Sequence, residues 1–205
     1  MEQRTDEWYQ ARLGKVTASR VADLLSKTKS GWGAGRANYM AELLCERLTG
    51  QQAERFTSAE MQRGTELEPQ ARTAYCFLFD ATVDECGFVQ HQVITDFGAS
   101  PDGLIGDSGL VEIKCPNTAT HIEYLLSQEV PGKYVTQMQA QMACTGRAWC
   151  DFASYDPRLP DDMQLFVKRI HRDAIFIASM ETEINEFLRE LAVKESKLRN
   201  LARVA

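Results

Sequence analysis

Two acids and a lysine gather around a turn: Asp102 in Ser100-Pro101-Asp102-Gly103, then Glu112 and Lys114 in Val111-Glu112-Ile113-Lys114. If Leu110 to Cys115 is a strand, side chains alternate along it, and Glu112 and Lys114 leave the same face. The intervening Gly106-Asp107-Ser108-Gly109 reads as a tight turn. That turn folds Asp102, at the end of the preceding strand, back beside them. Carboxylate oxygens are hard ligands of the kind Mg²⁺ takes, and the ion completes its octahedron with water and substrate phosphate oxygens. A metal held so activates water and neutralises charge on a phosphodiester. The lysine can orient that water or stabilise the anionic transition state. The chemistry implied is phosphodiester hydrolysis. Each half of the pattern is common by itself, as a turn or as an exposed strand face. Weight comes from their placement on adjacent strand-like segments, with Val111 and Ile113 at the buried alternate positions.

The elements that must position these groups follow from the pattern on either side. Thr5-Asp6-Glu7-Trp8 opens a short helix through Leu13, ended by Gly14, and Thr17 or Ser19 starts a second with Val21, Leu24 and Leu25 on one face. Ser30-Gly31-Trp32-Gly33-Ala34-Gly35 reads as a mobile glycine-rich loop whose Trp32 is free to touch a base or a partner. It lacks the GK[ST] ending of a phosphate loop. A third helix spans about Ala37 to Leu48 and closes at Gly50. Thr57-x-x-Glu60 is a capping box for a fourth, which Pro69 is expected to break or restart before Phe77 to Asp80. Thr82 to Gln92 is strand-like, and the two motif strands follow. Pro131 begins a helix to about Cys144, and Arg147 to Tyr155 and Leu165 to His171 read as strands. Ala174 to about Ala202 is a long amphipathic helix with Ile177, Ile184, Phe187, Leu188 and Leu191 in register. Helices, a mixed sheet, then a helix make an α/β (α+β mixed) class. One domain over 1–205 is expected: a mainly helical part at 1–80, a catalytic sheet with a glutamine helix at 82–172, and a terminal helix at 173–205.

With 44% hydrophobic and 25% charged residues, composition is that of an ordinary globular protein. No run of eighteen apolar residues is present, so no membrane span is expected. The polar, acidic start Met1-Glu2-Gln3-Arg4-Thr5-Asp6-Glu7 is unlike a secretory signal. The six cysteines, Cys45, Cys76, Cys86, Cys115, Cys144 and Cys150, are scattered and are expected to be reduced and mostly buried in a cytoplasmic protein. His91, His121 and His171 have no ligand spacing to a cysteine, which argues against zinc. The net charge of −6 runs against a nucleic-acid partner, whose phosphates dominate affinity. Yet Arg12, Lys15, Arg20, Lys27, Lys29 and Arg36 make the first forty residues locally basic after the initial acids.

Several separate segments resemble one family. Trp8-Tyr9-Gln10-Ala11-Arg12-Leu13-Gly14-Lys15-Val16-Thr17-Ala18-Ser19 is similar to the amino-terminal signature of the lambda-phage exonuclease family, also called the YqaJ viral recombinase family. Arg63-Gly64-Thr65-Glu66-Leu67-Glu68 resembles its central glutamate motif, and Ser100-Pro101-Asp102-Gly103 with Glu112-Ile113-Lys114-Cys115-Pro116 its catalytic strands. Tyr134-Val135-Thr136-Gln137-Met138-Gln139 resembles its glutamine helix, and Ala153-Ser154-Tyr155-Asp156-Pro157-Arg158 a later strand and turn. The likeness runs from Trp8 to Arg158 in the family's order. It implies a PD-(D/E)xK restriction-endonuclease-like fold, a central mixed sheet flanked by helices. It also implies a magnesium-dependent exonuclease acting 5′→3′ on duplex DNA, built as a homotrimer ring.

Roles carried over residue by residue put Asp102, Glu112 and the Ile113 carbonyl at a metal, with Glu68 holding a second ion or its water. Two Mg²⁺ ions per site are expected, with Mn²⁺ as a substitute. Lys114 orients water or stabilises charge, and Gln137 offers an amide that donates to phosphate and accepts from water. Gln137 and Gln141 share a helix face, and Gln139 points elsewhere. Arg12, Ser19, Ser100 and Gln137 match the family's pocket for the terminal 5′ phosphate. Arg12 supplies a planar fork, and Ser19 sits in the first turn of a helix where free N–H groups favour an anion. Any family acid placed earlier than Asp96 in the strand before Pro101 is missing here. Double-stranded DNA ends are the expected partner, with a single-strand annealing protein beside them by analogy. Two alternatives stand: a related endonuclease of the same fold, and a non-catalytic DNA-end-binding scaffold that loads an annealing protein.

Overall fold

The computed structural model describes residues 1–29, 31–52 and 58–204. Helix α1 (Asp6–Arg12) is capped by Thr5, whose hydroxyl accepts from the Trp8 N–H at 3.3 Å. Strand β1 (Val16–Thr17) passes through a 3₁₀ turn (Ala18–Arg20) into the four-residue α2 (Val21–Leu24). A small hairpin, β2 (Lys27–Thr28) and β3 (Gly31–Trp32), precedes α3 (Ala34–Thr49). Then come α4 (Ala59–Phe79), β4 (Val83–Asp84), β5 (Val89–Gln90), β6 (Phe97–Ala99), β7 (Gly103–Ile105) and β8 (Gly109–Lys114). They are followed by α5 (Thr118–Ser127), α6 (Gly132–Thr145), β9 (Trp149–Tyr155), β10 (Leu165–His171) and α7 (Ala174–Val204).

Five strands form the central sheet in the order β10-β9-β8-β7-β4. β8 and β9 run parallel and the other neighbours antiparallel, so the sheet is mixed. A second sheet, β1-β6-β5, joins the amino-terminal segment to the strand that leads into Asp102. Alternation along β8 sorts the central sheet into two faces. Val111 and Ile113, with Ala153 and Tyr155 of β9, lie under Ala71 and Tyr75 of α4. Leu110, with Cys150 and Phe152, lies under Tyr124 of α5 and Met138 and Met142 of α6. A third cluster joins α2, α3, β6, α6 and α7. In it Ile177, Ile184, Phe187 and Leu191 are buried and Leu188 packs alongside, so the long helix spends its stripe on the core.

Several expectations are corrected. Pro69 lies within an unbroken α4. An interior proline removes one helical N–H at a cost of about 3 kcal/mol, and burial of Ala71 and Tyr75 against the sheet keeps the helix continuous beyond it. The cap of α4 is Ser58, which accepts from the Met61 N–H at 3.1 Å, while Thr57 of the expected capping box lies outside the described residues. Thr82 to Gln92 is not one strand: β4 joins the central sheet and β5 the smaller one. Between them the Cys86 carbonyl accepts from Gln3 Nε2 at 2.9 Å, so a side chain takes a backbone group that a ladder would need. The glycine-rich segment is largely structured. Trp32 sits on β3 beneath the Arg36 guanidinium, 4.0 Å from its ring centre, and α3 begins at Ala34. Ser30 is outside the described residues. All six cysteines are free thiols, but only Cys144 and Cys150 are buried, and Cys45 is exposed. Among the described residues no helix is long and apolar enough to cross a membrane.

Candidate active site

Glu112 is completely buried on β8, 0% exposed, beneath α6. A carboxylate there has no water, so protein donors must replace it. They do. Oε1 accepts from Gln137 Nε2 at 2.6 Å and from Lys114 Nζ, and Oε2 accepts from Gln141 Nε2 at 2.5 Å. Gln137 and Gln141 stand four apart on α6, one turn of helix, and present two amides to one acid. Gln139 turns away, donating to the His171 carbonyl at 2.8 Å and accepting from the Asp173 N–H at 2.9 Å. This ties α6 to the start of α7.

Asp102 stands just before β7, and the antiparallel β7–β8 pairing sets the start of one strand against the end of the other. Its Oδ2 accepts from the Ile113 N–H at 2.7 Å. Gly103 beside it has no room for a side chain, because a Cβ would run into Val83 of β4 and Val111 of β8. Burial and the neighbouring Glu112 charge push the Asp102 carboxyl up to about 8, with Lys114 opposing and Glu68 adding to the rise. Burial alone would lower Lys114, but Glu112 and Asp102 outweigh it and raise the group, which stays an ammonium.

Among the described residues no three His, Cys, Asp or Glu side chains come together as a closed metal cage. Asp102 and Glu112 form an open pair, and the Ile113 carbonyl leaves β8 on the same edge as the N–H that faces Asp102. That set suits Mg²⁺, which is held by one or two carboxylates and keeps positions for water and phosphate. A cation there would also relieve the repulsion that raises Asp102. Glu68, on α4, accepts from Arg4 Nη2 and from Arg72 Nη2 at 3.0 Å, and Arg72 reaches the Asp102 carbonyl at 3.4 Å. Glu68, Asp102 and Lys114 open onto one cavity of about 830 Å³.

The expected phosphate residues divide. Ser100 Oγ accepts from Arg12 Nη1 at 3.0 Å and from Trp8 Nε1 at 2.9 Å, and the Arg12 guanidinium lies over the Trp8 ring, 3.9 Å from its centre. Trp8 and Arg12 are four apart on α1, so both reach down to the residue two before Asp102. Gln137 is engaged with Glu112. Ser19 is exposed on the 3₁₀ turn, its Oγ 3.5 Å from Thr17 Oγ1, and the helix that follows has only four residues. The anion-favouring helix start expected at Ser19 is therefore a 3₁₀ turn. Residue-by-residue reading passed over Trp8 and gave Gln141 no role, although the four-residue spacings to Arg12 and Gln137 were the available signals. Nothing local marked Arg4 as a neighbour of Glu68, or Tyr134, whose ring centre is 5.4 Å from Lys114 Nζ, whereas Arg72 follows Glu68 by four residues on α4.

Known proteins resemble this chain in sequence and in fold. The YqaJ-like viral recombinase domain matches residues 7–148. The alkaline exonuclease LHK-Exo from Laribacter hongkongensis is similar at 57% identity and a TM-score of 0.92, over 98% of this chain and 100% of that one. LHK-Exo in complex with dAMP aligns equally well, at 57% identity and 0.92. A phage related exonuclease from Haemophilus somnus 129PT shares the fold at 15% identity, with a TM-score of 0.75 over 90% of this chain and 96% of that one. No curated protein matches the chain. The mixed sheet between α4 and the α5–α6 pair is of the PD-(D/E)xK nuclease type, and the chain belongs to the YqaJ-like viral recombinase family.

Proposed function

We propose that this protein is a Mg²⁺-dependent exonuclease that degrades one strand of linear double-stranded DNA 5′→3′. It would leave 3′ single-stranded overhangs for phage-type recombination by single-strand annealing. The observation that carries this is the buried Glu112, held by Lys114, Gln137 and Gln141 beside Asp102, with Asp102 and Lys114 lining an open cavity. The reading is supported by a relative at 57% identity that is called an alkaline exonuclease and was solved with dAMP. A deoxynucleoside monophosphate is what stepwise hydrolysis of DNA releases.

Asp102, Glu112 and the Ile113 carbonyl would hold one Mg²⁺ or Mn²⁺ ion, and Glu68 a second ion or its water. The bound ions would supply Lewis acidity and a water of lowered pKa. The protein supplies the rest. Gln137 and Gln141 fix the Glu112 carboxylate in one orientation, so the acid is set before substrate arrives. Lys114, kept cationic by two acids, would orient the attacking water and offset charge on the crowded phosphate. Arg12 and Ser100, with Ser19 and Gln137, would take the terminal 5′ phosphate and so set polarity: only a phosphorylated 5′ end seats one nucleotide at the acids. A homotrimer ring would confine the duplex, an annealing protein would receive the single strand, and the bacterial cytoplasm would be the setting. Light scattering should then return three times the chain mass of 23.1 kDa, and a monomer in solution removes the ring.

Linear duplexes labelled at one 5′ or 3′ end, with phosphate or hydroxyl termini, test the reading. Mononucleotides should leave 5′-phosphorylated ends only with Mg²⁺, and supercoiled circles should stay intact. Nicked circles would mean an endonuclease of the same fold. Tight end binding with no digestion would mean a scaffold that loads an annealing protein.

A further inference from the structure

Asp156 closes β9 with its side chain completely buried, 0% exposed, yet the chemistry above leaves it unused. It gathers an unusual number of donors. Arg158 reaches it from Nε at 2.8 Å, from Nη2 at 2.8 Å and from its backbone N–H at 3.1 Å. Thr118 Oγ1 donates at 2.6 Å and Arg63 Nη2 at 3.4 Å, and Arg63 Nη1 is pinned by the Pro116 carbonyl at 3.1 Å. Burial would raise this carboxyl, but the hydrogen bonds from Arg158 and Thr118 hold it well below the ordinary carboxylate range.

The two arginines face outward from this acid. Arg63 and Arg158 both line the 830 Å³ cavity that holds Asp102 and Lys114, as does the exposed Lys133, whereas Asp156 lies behind them. The cavity lining carries five cationic side chains against the three acids Glu60, Glu68 and Asp102, so cations prevail there. The cavity is of the size that buries a whole small ligand, far more than one ion and one phosphate need. A second pair in the same sheet provides the contrast. Asp151, also buried, takes Arg169 at 2.8 and 2.9 Å and the Tyr75 hydroxyl at 2.6 Å, but Arg169 lies against Trp149 and does not line the cavity. An arginine fork on a buried acid serves the sheet in both places. Only at Asp156 does it also present guanidinium to the site.

We infer that Arg63, Arg158 and Lys133 form a phosphate-binding wall that takes the backbone of the DNA strand beyond the phosphodiester seated at Asp102 and Glu112. This rests on the nuclease reading for its ligand and adds a site to it. The arginine planes suit phosphate oxygens, and Asp156 holds them in place beforehand, which cuts the ordering cost of binding. Such a wall also explains how a chain of net charge −6 binds a polyanion: the cations need only line the channel.

Fluorescence anisotropy of a 5′-phosphorylated duplex oligonucleotide in EDTA, across a salt series, tests it without turnover. Arg158→Ala and Lys133→Ala should each weaken binding severalfold and flatten the slope of log K against log salt by about one. Arg158→Lys should keep the slope, and Arg169→Ala should change neither quantity. Unchanged slopes in both cavity variants overturn the wall, and so does an equal loss in Arg169→Ala, which would show a merely structural effect. Should Arg158→Ala fail to fold, the exposed Lys133 decides. The two readings fail separately: inactive wild type with flattened slopes sinks the exonuclease and keeps the wall, whereas active wild type with unchanged slopes does the reverse.

Discussion

Glu112 has exchanged water for three protein donors, and that exchange makes its surroundings functional as well as structural. Replacing Lys114 by Ala removes the one cationic donor and leaves the two amides. Loss of a single charge-stabilising donor costs about 10²–10³ in rate. Lys114→Ala should therefore slow single-turnover digestion at least about a hundredfold while duplex binding in EDTA persists; a loss below tenfold would remove the lysine from the chemistry. Arg12 offers a second test. Its guanidinium is already aligned by Trp8 and Ser100, and a hydrogen bond to a charged group is worth about 1.5–3 kcal/mol. Arg12→Ala should cut the preference for 5′-phosphorylated over 5′-hydroxyl ends roughly tenfold or more. Equal loss on both kinds of end counts against a phosphate role.

At the scale of elements, β8 shows what short-range pattern can and cannot carry. The period-two alternation put Glu112 and Lys114 on one face and Val111 and Ile113 on the other, as they stand in the sheet. The same pattern gave no hint that the Glu112 face is roofed by α6, because strand periodicity does not say what covers a face. Gly103 links motif to packing. Val83 of β4 occupies the space of its missing side chain, and Val111 stands close. Gly103→Ala should overpack this edge by about 1–3 kcal/mol and lower the thermal midpoint by about 2–4 °C for each kcal/mol. An unchanged melt would mean that β4 yields. Pro69 and the Thr82–Gln92 stretch misled for a shared reason: local propensity was overruled by contacts far away in sequence, from the sheet under Ala71 and Tyr75 and from Gln3 on the Cys86 carbonyl.

For the whole molecule, the acid pair couples folding to pH and to metal. The folded chain binds the Asp102 proton more tightly than the unfolded chain does. The stability this contributes is therefore full below the ordinary value of 3.8 and lost as pH rises through about 8. A divalent cation competes for the same oxygens. Mg²⁺ should raise the thermal midpoint more at about pH 9 than at about pH 6, measured against EDTA at each pH. An equal gain at both would place the ion away from Asp102.

The order of the motifs, the spacing of two acids and a lysine about one turn, and the paired glutamines of α6 belong to the sequence alone, because each depends on neighbours within a few residues and on helix or strand period. Arg4 closing on Glu68, Ser100 meeting Trp8 and Arg12, and Arg63 joining Asp156 at the cavity were decided only by tertiary structure. Those groups lie tens of residues apart, and the burial that selects their partners exists only once the sheet and its helices have come together.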